Sequence, residues 1–214
     1  GVNEVHLDPR DPDVLFAAKH QRYNRVARHL GIREDDVIEY LMFTGDRIGD
    51  HMDVAMTKAD GKACIDYAFH VAISDMTDAV LAEMPAIIAG GYPSFKLFMA
   101  YPGVFYSDDG QIFMAMQKAA ENGSTIMMHA ENGIAIDVLR EQAIQRGQTD
   151  PKYHTTTRPP TTESEAVHRA ITLAELAGSP LYIVHMTCEE ALARVKAATA
   201  ASVCPAVFSR QARL

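Results

Sequence analysis

The sequence predicts an α/β protein built on a parallel sheet, either doubly wound or closed as a (β/α)8 barrel. From about residue 64, short apolar runs rich in β-branched and aromatic residues alternate with longer stretches of helical spacing, four times over. Glycines stop the helical stretches at Gly90-Gly91, Gly123, Gly147 and Gly178. Strands joined through helices have to run parallel with right-handed crossovers, and with 48% hydrophobic residues in 214 there is ample material for one large domain or two small ones.

The elements follow in order. CIDYAFHVAIS (64 to 74) reads as a strand and MTDAVLAEMPAIIAG (76 to 90) as the helix after it. SFKLFMA (94 to 100) is the next strand, and QIFMAMQKAAEN (111 to 122) places apolar residues at 112, 113, 116, 119 and 120, which is helical spacing. STIMMHA (124 to 130) is a strand and GIAIDVLREQAIQRG (133 to 147) a helix. After the loop QTDPKYHTTTRPPT, Thr162 with Glu165 three residues on matches a capping box opening a helix over 162 to 178. PLYIVHM (180 to 186) and CEEALARVKAA (188 to 198) form the last strand and helix of the series.

Residues 1 to 57 have a different character: Asp-Pro turns at 8 to 13, a helical HQRYNRVARHL (20 to 30), and DDVIEYLMF (35 to 43), which fits helix or strand. The chain thus divides into 1–57, a regular 58–198 and a tail, 199–214. Twenty Lys and Arg against 28 Asp and Glu give a net charge of -8 with no basic run, so nucleic acid is not an expected partner. No apolar run reaches the roughly 18 to 20 residues that span a bilayer, and the first residues have no signal-peptide pattern. Three cysteines, Cys64, Cys188 and Cys204, with no CxxC pair, fit a reducing compartment, and a cytoplasmic location is expected. Asn122-Gly123-Ser124 matches a glycosylation sequon but sits where a helix C-cap is needed.

Three residues conflict with their surroundings. Lys96 lies inside the apolar run SFKLFMA, where an unpaired ammonium would cost several kcal/mol. Either it reaches water from a strand end, or it is an amine of depressed pKa that CO2 can convert to an anionic oxygen donor. His129 and His185 end the runs TIMMH and YIVH, and both belong to the strand-end face on which parallel α/β proteins build their sites. Each is compatible with a structural histidine; together with Lys96 on three successive strands they point to a metal site. His70 reads as a core residue and the methionines at 114, 116, 127 and 128 as packing. No HExxH, GxSxG, P-loop or GxGxxG is present.

The stretches KADGKACIDYAFHVAISD, SFKLFMAYPGVFYSDDG, MMHAENG, TTTRPPTTESEAVHRAI and LYIVHMTCEEAL resemble the dihydropyrimidinase and D-hydantoinase family of cyclic-amide hydrolases, in the amidohydrolase superfamily. The order is specific: a strand lysine, a tyrosine five residues later, then histidines after gaps of 33 and 56 residues. The resemblance implies a (β/α)8 barrel and hydrolysis of a ring C–N bond in dihydropyrimidines or hydantoins. It implies two divalent metal ions, zinc by analogy, bridged by a carboxylated Lys96, with His129 and His185 on the second metal. It assigns Tyr101 to the substrate carbonyl and its oxyanion, and it implies a homo-oligomer, a tetramer in relatives.

The departures are equally definite. Where the family opens with HxH, this sequence has Val5-His6-Leu7-Asp8, so His6 and Asp8 are the ligand candidates there. Residues 9 to 57 lack the family's glycine- and threonine-rich second unit, and ASVCPAVFS is similar to a later motif at a shorter spacing. Nothing matches the eighth strand with its general-base aspartate, so an incomplete barrel with reduced or no activity is expected. An allantoinase-like or dihydroorotase-like hydrolase uses the same metal logic. A non-catalytic homologue resembling the collapsin-response mediators would lack the bridging lysine.

Overall fold

A computed structural model describes residues 42–43, 48–64, 68–201 and 206–210. His6, Asp8, the helix expected at 20 to 30 and most of the 35 to 43 run lie outside the described residues. Six strands, β1 (Met42–Phe43), β2 (Val71–Ile73), β3 (Ser94–Phe98), β4 (Thr125–His129), β5 (Leu181–Met186) and β6 (Ala206–Arg210), form one sheet in that order. Every pairing is parallel. A doubly wound sheet would reverse its strand order at a switch point, and an order that follows the chain is instead an arc of a barrel.

The intervening helices are α1 (Ile48–Ala59), α2 (Asp78–Ala89), α3 (Asp109–Glu121), α4 (Gly133–Gln145), the short α5 (Tyr153–Thr156), α6 (Pro160–Ala177) and α7 (Glu189–Ala200). Phe95 and Leu97 of β3, Ile126 and Met128 of β4, and Leu181 and Ile183 of β5 are almost wholly buried. They share one core with Ile112 and Met116 of α3, Val167 and Ile171 of α6, and Val195 of α7. Each such side chain removed from water contributes about 1.5–3 kcal/mol, so this layer fixes the sheet on its helices. The alternate positions of β3 and β4 then face the other way, and the register pairs Lys96 with Met127 and Phe98 with His129 there.

Three elements differ from expectation. Of the strand read over 64 to 74, residues 65 to 67 lie outside the described residues, and among the rest the strand is Val71–Ile73, with Val71 paired to Phe95 of β3. Residues 68 to 70 lie outside the strand, and His70 Nδ1 meets the Ser94 hydroxyl at 2.6 Å. Helix α6 starts two residues before Thr162, since Pro160 already has the fixed φ of a first helical residue. Thr162 therefore does not cap: its hydroxyl donates to the Pro159 carbonyl at 2.8 Å. The reciprocal capping box is at Asp108 and Gln111, which open α3.

Candidate active site

The turn after β3 is organised around one carbonyl. Tyr101 O accepts backbone N–H bonds from Val104, Phe105 and Tyr106 at 3.0–3.3 Å, and Ser107 N returns the chain to Phe98 O at 2.9 Å. The turn holds Tyr101 at φ 67, a left-handed conformation that a bulky residue adopts only under constraint. Its ring is thereby set 5.1 Å from that of His129, centroid to centroid. The end of β3 is tied in the same way: Met99 N donates to His129 O and Gly133 N to Met99 O. A Cβ at Gly133 would meet Ala100 Cα at 2.5 Å, so only glycine lets α4 approach β3 this closely.

His185 is the other non-glycine residue with positive φ among the described residues, at φ 40. Alternation along β5 would turn it with Leu181 and Ile183 towards the helices. The pairing of β5 with β6 instead shifts register between Ile183 and Met186, and a bulge of this kind re-aims a side chain. His185 Nε2 consequently lies 3.0 Å from His129 Nδ1. Burial, with the neighbouring His129 and Lys96, pulls the His185 pKa down to about 4.

Lys96 is buried, with its Nζ 3.5 Å from the centre of the Phe98 ring and 3.2 Å from the Leu97 carbonyl it donates to. Burial lowers its pKa to about 7, so the amine is neutral for much of the time near neutral pH. The Phe98 ring in turn lies 5.7 Å from that of His129. The structure thus brings His129, His185 and Tyr101 into direct contact, with Lys96 joined to them through Phe98 and through its effect on His185.

A cleft of about 200 Å³ opens over Tyr101 and the two histidines, lined also by Glu131, Arg158 and Glu163; Lys96 is not part of its lining. Glu131, His154, Arg158, Glu163 and Thr187 were not singled out by the sequence, where charged loop residues look like ordinary solvated surface. The position of Glu131, two residues beyond a strand-end histidine, was the available signal. Its carboxylate bonds His129 Nε2 at 2.7 Å and lies 3.8 Å from Arg158 Nε. Burial raises the Glu131 pKa, yet the His129 hydrogen bond and its electrostatic interactions with His129, Arg158 and His185 outweigh it and leave the carboxyl below its usual range. Burial and the Glu131 charge push the Tyr101 hydroxyl up, against Arg158.

Among the described residues no three His, Cys, Asp or Glu side chains group as a metal site. Two imidazoles and a neutral lysine are nevertheless a fitting donor set. Tetrahedral zinc with bonds of about 2.0–2.1 Å places its nitrogens about 3.3 Å apart, close to the 3.0 Å separation of His129 Nδ1 and His185 Nε2.

No family model matches the chain. It is 56% identical over 151 residues to a D-hydantoinase of Streptomyces coelicolor, covering 71% of this chain and 32% of that one. It is 52% identical over 139 residues to a D-hydantoinase of Geobacillus stearothermophilus, covering 64% of this chain and 30% of that one. Among solved structures, a D-hydantoinase superposes with TM-score 0.75 at 43% identity, and a dihydropyrimidinase of Brevibacillus agri with TM-score 0.75 at 39% identity. Both structural matches cover 79% of this chain and 37% of the other. The chain spans about a third of the length of these curated relatives.

Proposed function

Because the chain belongs to the D-hydantoinase and dihydropyrimidinase family of metal-dependent amidohydrolases over the segment it shares with them, we propose that it hydrolyses the ring C–N bond of small cyclic amides, dihydropyrimidines or hydantoins. The observation that carries this reading is the pairing of His129 Nδ1 with His185 Nε2 at the strand-end face, beside a buried Lys96 and under a strained Tyr101. Two divalent metal ions, zinc by analogy, supply Lewis acidity for the amide carbonyl when bound. His129 and His185 would hold one of them through the facing ring nitrogens. Lys96, as the neutral amine, could add CO2 to form a carbamate with release of one proton, and would then offer its carboxylate as a further metal ligand.

Tyr101 binds the substrate. Its hydroxyl, kept protonated by the raised pKa, donates to the amide oxygen as negative charge gathers there. The left-handed backbone at Tyr101 pre-sets that donor, so no reorganisation is needed during reaction. Proton delivery to the leaving nitrogen is assigned to none of the described residues. The reading places a homo-oligomer in the cytoplasm, acting on neither nucleic acid nor membrane; among the described residues no helix is long and apolar enough to cross a bilayer.

The test is an assay of the 214-residue chain with hydantoin and dihydrouracil in zinc and bicarbonate. Ring opening is expected from the unsubstituted chain and is lost in His129→Ala and Tyr101→Phe. Ring opening that survives both substitutions would overturn the assignment.

A further inference from the structure

Glu131 is a carboxylate in the cleft that touches a histidine of the candidate metal pair, and the metal assignment itself leaves it without a role. His129 uses both ring nitrogens: Nδ1 faces His185 Nε2 at 3.0 Å and Nε2 faces Glu131 Oε2 at 2.7 Å. A neutral imidazole carries one N–H, and a carboxylate can only accept. The Nε2 facing Glu131 therefore carries a proton, and in the neutral ring that metal ligation requires the lone pair is left on Nδ1, aimed at His185.

Glu131 is itself held in place. Its second oxygen lies 3.8 Å from Arg158 Nε, and the Arg158 guanidinium also reaches His154 Nδ1 at 3.1 Å across one turn of chain. The next residue, Asn132, caps α4 by accepting from Ala135 N at 3.0 Å and donates to Glu165 of α6 at 2.7 Å. Its own N–H donates to Thr162 O at 3.0 Å. The segment from His129 to Gly133 is thus fixed at both ends, by β4 and by the cap, and the carboxylate between them has one place to go.

From this arrangement we infer that Glu131, braced by Arg158, is a positioning residue that locks His129 in the Nε2–H tautomer with Nδ1 bare towards the metal pair. The inference deepens the proposed function and rests on it for the purpose of the tautomer, though not for the tautomer itself. A carboxylate behind a ligating histidine orients the ring and raises its basicity, and removing it usually lowers metal affinity by about 10 to 100-fold. His129 Nδ1 then faces His185 Nε2 at 3.0 Å, the spacing at which the two nitrogens could share one metal ion.

The experiment reads the tautomer directly by nitrogen-15 NMR of the metal-free 214-residue chain, the His129 signals being assigned by their loss in His129→Gln. Wild type is expected to show a protonated Nε2 and a bare Nδ1. Glu131→Leu keeps the bulk without the acceptor, and its His129 should shift towards the Nδ1–H form, with zinc affinity falling about 10 to 100-fold. Glu131→Gln retains an acceptor oxygen and should recover most of both. A circular dichroism melt confirms that each variant is folded; if the leucine variant is not, the glutamine variant and Arg158→Met carry the comparison, each expected to show a partial shift. An unchanged His129 tautomer in Glu131→Leu, or in both fallback variants, overturns the inference. A shifted tautomer in a chain that binds no zinc would leave it standing and overturn the metal assignment instead.

Discussion

His129 Nδ1 and His185 Nε2 meet at 3.0 Å although 56 residues separate them and strand alternation alone would point them to opposite faces of the sheet. β4 presents His129 by simple register with Phe98 of β3. β5 presents His185 only because its backbone leaves the strand conformation at φ 40, beside a shift of register against β6. Strain of this sort persists where packing over-determines it, here Leu181, Ile183 and Met186 anchored in the core on either side.

The approach of α4 to β3 makes Gly133 intolerant of any side chain. In Gly133→Ala the new methyl meets Ala100 Cα at 2.5 Å and Met99 O at 2.9 Å, and the expected cost is about 1–3 kcal/mol. Gly147→Ala is the control: its φ of 73 strains alanine by about 1–2 kcal/mol, but nothing lies within 4 Å of the added carbon. Thermal melts of the two variants should therefore differ in site geometry as well as in Tm. Only Gly133→Ala is expected to alter the His129 NMR signals.

Lys96 gives the metal-free protein a signed pH dependence. Its folded pKa of about 7 lies below its ordinary value of 10.5, so between these the unfolded chain holds the proton and the folded chain does not. Stability accordingly rises with pH across that window, by up to about 1.4 kcal/mol per pH unit, and the full penalty of charging the buried amine is present below pH 7. Urea unfolding in carbonate-free buffer with chelator should show this rise in wild type and a flatter profile in Lys96→Met. Equal slopes would mean that Lys96 is solvated when folded.

Much of the fold was legible because its signals are local. The apolar runs at 94 to 100 and 124 to 130 carry their own period, and spacing alone put Lys96 and His129 on adjacent strands. Thr162 misled because Pro160 offered a better start two residues earlier, and Asp108-Asp109-Gly110 hid a capping box inside what reads as a loop. The turn of His185 depends on pairing with β6, a contact no window of sequence contains. Glu131 and Arg158 are charged loop residues whose meaning arises only when the fold sets them beside His129 in the cleft.

The two described cysteines should separate by reactivity. Cys64 is exposed and Cys188 buried, with Cys188 Sγ 3.5 Å from the Pro160 carbonyl at the start of α6. Burial pushes the Cys188 pKa up to about 11, and the Glu163 and Glu190 carboxylates add to it against the Ala191 N–H. At pH 8 about one Cys188 in a thousand is thiolate. Iodoacetamide followed by peptide mass mapping should label Cys64 long before Cys188, and comparable rates would contradict the burial of the α7 N-terminus.

On the proposed function, the strand ends of β3, β4 and β5 form one metal-binding face. Calorimetric titration of zinc into the 214-residue chain in bicarbonate tests it most directly, alongside His129→Ala, His185→Ala and His70→Ala. Binding is expected to weaken by at least about a hundredfold in each of the first two variants and to be unchanged in the third, whose histidine bonds Ser94 away from the pair. Zinc binding within about threefold of wild type in either His129→Ala or His185→Ala would contradict it.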